Sequence, residues 1–203
     1  AAVTLESIAR PLAVFFRSSG GAAGVAVAYI AARASSHRLN VRQRLGFDRE
    51  SLDLARLDEE NLLLPREIAL FDDPCLNRDL YFWLTALLAF MTSSREFEDP
   101  LRRDISHLRQ VVLATQAALS AFPGLHKRHG RLQRGILSIR PIRRLPATEA
   151  AVEAVVRRLL GAEEPLSEKA AGYHMAVLDP TISLRPFRAP NHYRPPLPVP
   201  LWA

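Results

Sequence analysis

The chain has 203 residues, 48% apolar and 24% charged, the composition of a globular protein long enough to bury a core of its own. Its formal net charge is +6, and a single cysteine, Cys75, excludes an internal disulfide framework and fits a reducing cytoplasm. The longest nearly unbroken apolar stretch, Leu80 to Met91, falls short of the roughly 20 residues a helix needs to cross a bilayer, so no membrane span is expected.

Along the chain, Thr4 is placed to cap a helix running to about Ser18, with Leu5, Ile8, Leu12, Phe15 and Phe16 as its apolar stripe. Pro11 is expected to kink that helix or delay its regular part, and Ser18-Ser19-Gly20-Gly21 ends it. Val25, Val27 and Tyr29 alternate with alanines as a strand does. A short helix is expected somewhere within 48–60, from Leu52, Leu54 and Leu57. Leu62 to Leu64 and Ile68 to Phe71 are brief extended runs broken by Pro65, and Asp72-Asp73-Pro74 closes them.

From Pro74 the period changes to helical. Leu76, Leu80, Trp83, Leu84 and Leu87 recur at three- and four-residue steps, with Arg78 and Asp79 expected on the other side. Asp99-Pro100 opens a second long helix carrying Ile105, Leu108, Val112, Thr115 and Leu119, which Pro123-Gly124 stops. Further helices are predicted over Leu125 to about Ile139, from Ala147 or Thr148 to Gly161, and over 166–178. Six prolines between Pro186 and Pro200 favour extended geometry, with Tyr193, Leu197 and Trp202 as anchors if the tail docks on the domain. The expected fold is α+β and mainly α, a small sheet near the N-terminal third followed by a bundle of four to five helices. The division is a helical domain over 1–185 and a Pro-rich extension over 186–203. With no initiating methionine and no signal-like opening, the chain is expected to be cut from a longer protein.

Chemistry-bearing patterns are sparse. His126 and His129 sit one helical turn apart, as half of a zinc site would, without an evident third ligand. Gly20, Gly21 and Gly24 precede a strand rather than a helix, the wrong order for a dinucleotide fingerprint, and no serine lies in a Gly-x-Ser-x-Gly turn. Neither catalysis, a metal nor a cofactor is expected. Charge is the stronger signal: between 101 and 145, ten Lys and Arg residues face one acid, Asp104. Arg128, Arg131, Arg134, Arg140, Arg143 and Arg144 are the partner-binding candidates, suited to an acidic protein surface by the planar guanidinium fork. The alternative is a basic nucleic-acid-binding module, weakened because no aromatic interleaves with these arginines.

Three stretches carry a family resemblance. AAVTLESIARPLAVFFRSSGG at 1–21, ASSHRLNVRQRLGFDRESLDLARLDEENLLLP at 34–65, and LNRDLYFWLTALLAF at 76–90 after the Phe-Asp-Asp of 71–73 resemble, in order, the N-terminal half of the NorD and CbbO family. The closing PPLPVPLWA is similar to the point where that family leaves its first domain. The resemblance implies a cytoplasmic, chaperone-like, non-catalytic adaptor that works with a MoxR-type AAA+ hexamer, CbbQ-like or NorQ-like. The client enzyme would be held through a C-terminal von Willebrand factor A domain absent from this chain. It implies either Rubisco activation or nitric oxide reductase maturation, with a lean to Rubisco that no residue carries. The metal-gripping Asp-x-Ser-x-Ser run of that C-terminal domain does not occur in 1–203; Asp104-Ile105-Ser106-His107-Leu108 lacks the second Ser and lies in a helical pattern.

Overall fold

A computed structural model describes residues 2–18, 26–29, 55–57, 61–92 and 97–202. Strand β1 (Val3–Thr4) leads into helix α1 (Leu5–Ser18), followed by strands β2 (Ala26–Tyr29), β3 (Arg56–Leu57), β4 (Asn61–Leu64) and β5 (Glu67–Ile68). Five helices follow: α2 (Pro74–Phe90), α3 (Pro100–Ala121), α4 (His126–Ile139) after a 3-10 turn at Pro123–Leu125, α5 (Ala147–Leu159) and α6 (Glu168–Leu178). The fold is α+β and mainly α, as the periodicities predict.

The strands form two small sheets rather than one. β1 pairs antiparallel with β5, Val3 opposite Ile68, and the Leu5 amide donates to the Arg66 carbonyl at 2.9 Å as the chain turns into α1. β4 lies between β2, which runs parallel to it with Ala26 opposite Asn61, and β3, which runs antiparallel. Of the helix expected within 48–60, only 55–57 is described, and Arg56–Leu57 is a strand there. The leucine spacing fits either period, and pairing of Leu57 with Leu62 on β4 decides it. α1 begins at Leu5 and runs through Pro11 without delay, burying Leu5, Ile8, Leu12 and Phe16.

α2 is the central element, packed against α1, α3 and α4. Asp73 caps it, accepting from the Cys75 amide at 2.8 Å, and Pro74 occupies the first turn, where its missing N–H has no helical acceptor to lose. Buried Asn77 clamps the preceding bend, its Oδ1 accepting from the Phe71 amide at 2.9 Å and its Nδ2 donating to the Phe71 carbonyl at 2.7 Å. Tyr81, Trp83, Leu84, Leu87 and Leu88 fill the core behind it.

α3 organises the C-terminal third. Asp99 caps α3 through the Leu101 and Arg102 amides, while its second oxygen accepts from the Ala189 amide at 3.0 Å. Arg102 donates to the Phe187 carbonyl at 2.7 Å, Arg109 to the Ile182 carbonyl at 2.6 Å, and the Tyr193 hydroxyl to Asp104 at 2.7 Å. Side-chain donors thus hold a segment that has no ladder of its own. α5 ends at Gly161, whose φ of +94° is the left-handed conformation that glycine adopts without strain.

The Pro-rich tail docks. Val199, Leu201 and Trp202 are buried, and the Trp83 indole donates to the Leu201 carbonyl at 2.9 Å. No helix among the described residues is long and apolar enough to cross a membrane.

Candidate partner-docking site

The basic segment folds as α4 and the turn after it. Leu132 and Ile136 are fully buried and Leu125 is buried at the entry, so their periodicity turns one face of α4 into the core. Gly135 permits the close approach: a Cβ there would lie 2.7 Å from Cε1 of the Phe71 ring. The Gln133 amide donates to the Leu159 carbonyl at 2.9 Å, tying α4 to the end of α5.

His129 belongs to the inward face. Its ring lies 4.0 Å from that of Trp83, and burial, aided by nearby His126, lowers its pKa from 6.5 to about 4, so it is neutral at pH 7. His126 itself is exposed. Among the described residues no group of three His, Cys, Asp or Glu side chains is placed to hold a metal ion.

The opposite face presents Lys127, Arg128, Arg131 and Arg134 to solvent. Two of these arginines reach back to α2: Arg131 Nη2 lies 2.7 Å from Asp79 Oδ2, and Arg128 Nη1 3.4 Å from Oδ1. Asp79 is therefore buried beneath α4, not on the outward side the sequence suggests. A carboxylate in that position is tolerated because two guanidinium groups pair with it, Arg131 through a hydrogen bond, in place of water. Both arginines remain about half exposed, at 47% and 51% of their side chains.

Arg134, Arg143 and Arg144 are exposed, the last two beside Ile142, which is 90% exposed. Arg140 is different. Its side chain is fully buried, and the fork grips Glu153 through Nε at 2.6 Å and Nη2 at 2.7 Å. Nη2 also donates to the Leu197 carbonyl at 3.0 Å. Of the six candidates, Arg140 is spent on the interior and the tail, because its guanidinium meets a carboxylate on α5; the other five face outward.

Sequence reasoning missed Phe82 and Arg78. With Phe15 and Phe122 they line a groove of about 870 Å³ that continues from the basic face, across the start of α2 and the end of α3. The available signal was Arg78-Asp79, the only charged pair in an otherwise apolar helix.

No protein-family model matches the chain, and no solved structure does. Among curated proteins, it is 43% identical over 203 residues to Protein NorD of Brucella abortus, covering 99% of this chain and 30% of that protein. It is 36% identical over 161 residues to Protein NorD of Stutzerimonas stutzeri, covering 79% and 25% respectively. An uncharacterized protein of Pseudomonas aeruginosa is 34% identical over 203 residues, 28% of its length. The chain spans about 30% of the length of the Brucella proteins it matches. This likeness, running the whole length of the chain to proteins named NorD, supports a NorD-like family.

Proposed function

We propose that this chain is a non-catalytic adaptor domain that docks a MoxR-type AAA+ ring ATPase, NorQ-like, in the maturation of nitric oxide reductase. The observation that carries the proposal is the 43% identity to Protein NorD along the whole chain. The same likeness favours nitric oxide reductase over Rubisco as the client. The adaptor works in the cytoplasm, holds no cofactor of its own, and reaches its client through a domain beyond this chain.

The geometry favours that role physically. An adaptor that transmits movement must be well packed, and α2, with Trp83 1% exposed at its middle, joins α1, α3, α4 and the tail into one core. The surface that meets the ring is the outer face of α4 and the following turn. Arg128, Arg131, Arg134, Arg143 and Arg144 are exposed there, and guanidinium groups suit an acidic protein surface.

Size-exclusion chromatography of the purified chain with a NorQ-like hexamer and nucleotide tests this. Co-migration that weakens with salt, and is lost when Arg134, Arg143 and Arg144 are replaced by Gln, is expected. Absence of co-migration refutes the role. Binding of duplex or single-stranded DNA that requires the same arginines would favour the nucleic-acid-binding alternative.

A further inference from the structure

We infer that the groove beside α4 binds an acidic peptide segment carrying one large apolar side chain among its carboxylates. The inference rests on the adaptor role and specifies the chemistry of the partner segment.

The floor of the groove is aromatic. Phe15 meets Phe82 edge-on, with ring centroids 5.6 Å apart at 78°, and lies 5.0 Å from Phe122 at 50°. All three rings are only partly buried and line an opening of about 870 Å³. They arrive from α1, α2 and the turn after α3, so the floor is a product of the fold and not of one helix.

The rim is cationic. Arg78 lies 5.9 Å and Arg128 6.0 Å from the centroid of Phe82, which both guanidinium groups overlie, and Arg131 lines the same wall. Among the described residues, the groove sets one carboxylate against these three cations: Asp79, buried, ion-paired with Arg128 and hydrogen-bonded to Arg131. Positive charge therefore remains in excess around an apolar floor.

The occupant follows from that pairing. A purely apolar segment would strip water from three guanidinium groups without replacing it, which is costly. A purely acidic one would leave Phe82 and Phe122 wet. A segment with an aromatic or large aliphatic side chain flanked by Asp or Glu satisfies both surfaces. A nucleic-acid base fits less well, because Arg78 and Arg128 already overlie Phe82 and its companions pack on one another.

Cys75 supplies the reporter, being the only cysteine of the chain, exposed, and part of the groove lining. Two synthetic peptides serve as probes, each with four flanking Asp or Glu residues and either Phe or Ala at the centre. Binding is read by fluorescence anisotropy and by the rate at which iodoacetamide alkylates Cys75. The Phe peptide is expected to slow alkylation and to bind about tenfold or more tightly than the Ala peptide. Arg78→Glu, at an exposed position, should abolish that binding, and a peptide with Lys in place of the acids should regain part of it. Equal binding of the two acidic peptides, or no protection of Cys75 by either, overturns the inference. So does protection by an oligonucleotide where the peptides give none. The ring-ATPase experiment separates the two proposals: undiminished co-migration of Arg78→Glu removes the groove and leaves the adaptor role, whereas peptide binding without any co-migration of the unaltered chain does the reverse.

Discussion

Trp83 and Leu201 are joined by a hydrogen bond that spans 118 residues of sequence, the indole N–H donating to the carbonyl at 2.9 Å. The same ring lies 4.0 Å from His129, so one side chain links the core helix, the basic helix and the tail. Trp83→Phe keeps an aromatic ring in the core and removes the donor, leaving a carbonyl unsatisfied at a cost of about 1–3 kcal/mol. Trp83 and Trp202 are the only tryptophans, so the variant has Trp202 as its sole indole. Its emission is expected to shift to the red as the tail loosens. Emission and urea midpoint both unchanged would show that the bond contributes nothing.

Arg140→Ala should be far more damaging than replacement of the exposed Arg134, Arg143 or Arg144. It strands Glu153 and withdraws a donor from the Leu197 carbonyl, and breaking a buried pair in this way costs about 3–5 kcal/mol. The double variant Arg140→Met with Glu153→Met leaves no orphaned charge and should recover most of the loss. Denaturant melts compare the two, and equal destabilisation of single and double variants would contradict the account.

Stability should fall as pH drops from about 6.5 toward 4. Folded His129 is held at about 4 by burial, with His126 adding to the effect, against an ordinary value of 6.5. Between those values the unfolded chain takes up the proton, so the contribution is complete above the ordinary pKa and lost on acidification. His107 and His174 are also lowered by burial and slope the same way. His129→Phe cannot be protonated, and its stability should decline less between pH 7 and 4, by roughly 2–3 kcal/mol. Parallel pH profiles of variant and parent would exclude His129 as the cause.

Two glycine substitutions should move in opposite directions. A methyl group added at Gly172, in α6, would meet nothing within 4 Å, so Gly172→Ala should gain about 0.5–1 kcal/mol of helix propensity. Gly135→Ala makes the same gain but sets its methyl 2.7 Å from the buried Phe71 ring, so its thermal midpoint should fall. Adding Phe71→Leu should lessen that penalty; a rise in midpoint for Gly135→Ala alone would show that the ring yields freely.

Helices were legible because their signals are local. Asp73-Pro74 and Asp99-Pro100 begin α2 and α3 where a cap followed by proline should, and Leu132 and Ile136 identify the inner face of α4. What escaped is pairing at long range. Asp79 is polar and so reads as outward, yet Arg131, 52 residues on, brings the charge that lets it be buried. Arg140 looks like the other arginines until Glu153 is placed beside it. The aromatic floor could not be anticipated, since Phe15, Phe82 and Phe122 share no period and come together only when three elements pack.

The docked tail has a practical bearing on shortened versions of this protein. Cutting at the onset of the prolines would bare the apolar trench now covered by Val199, Leu201 and Trp202 and remove the carbonyls of Phe187, Leu197, Pro198 and Leu201, to which Arg102, Arg140 and Trp83 donate. The product would be prone to self-association, so loss of solubility in such a truncate would reflect an uncovered interior and not a missing activity.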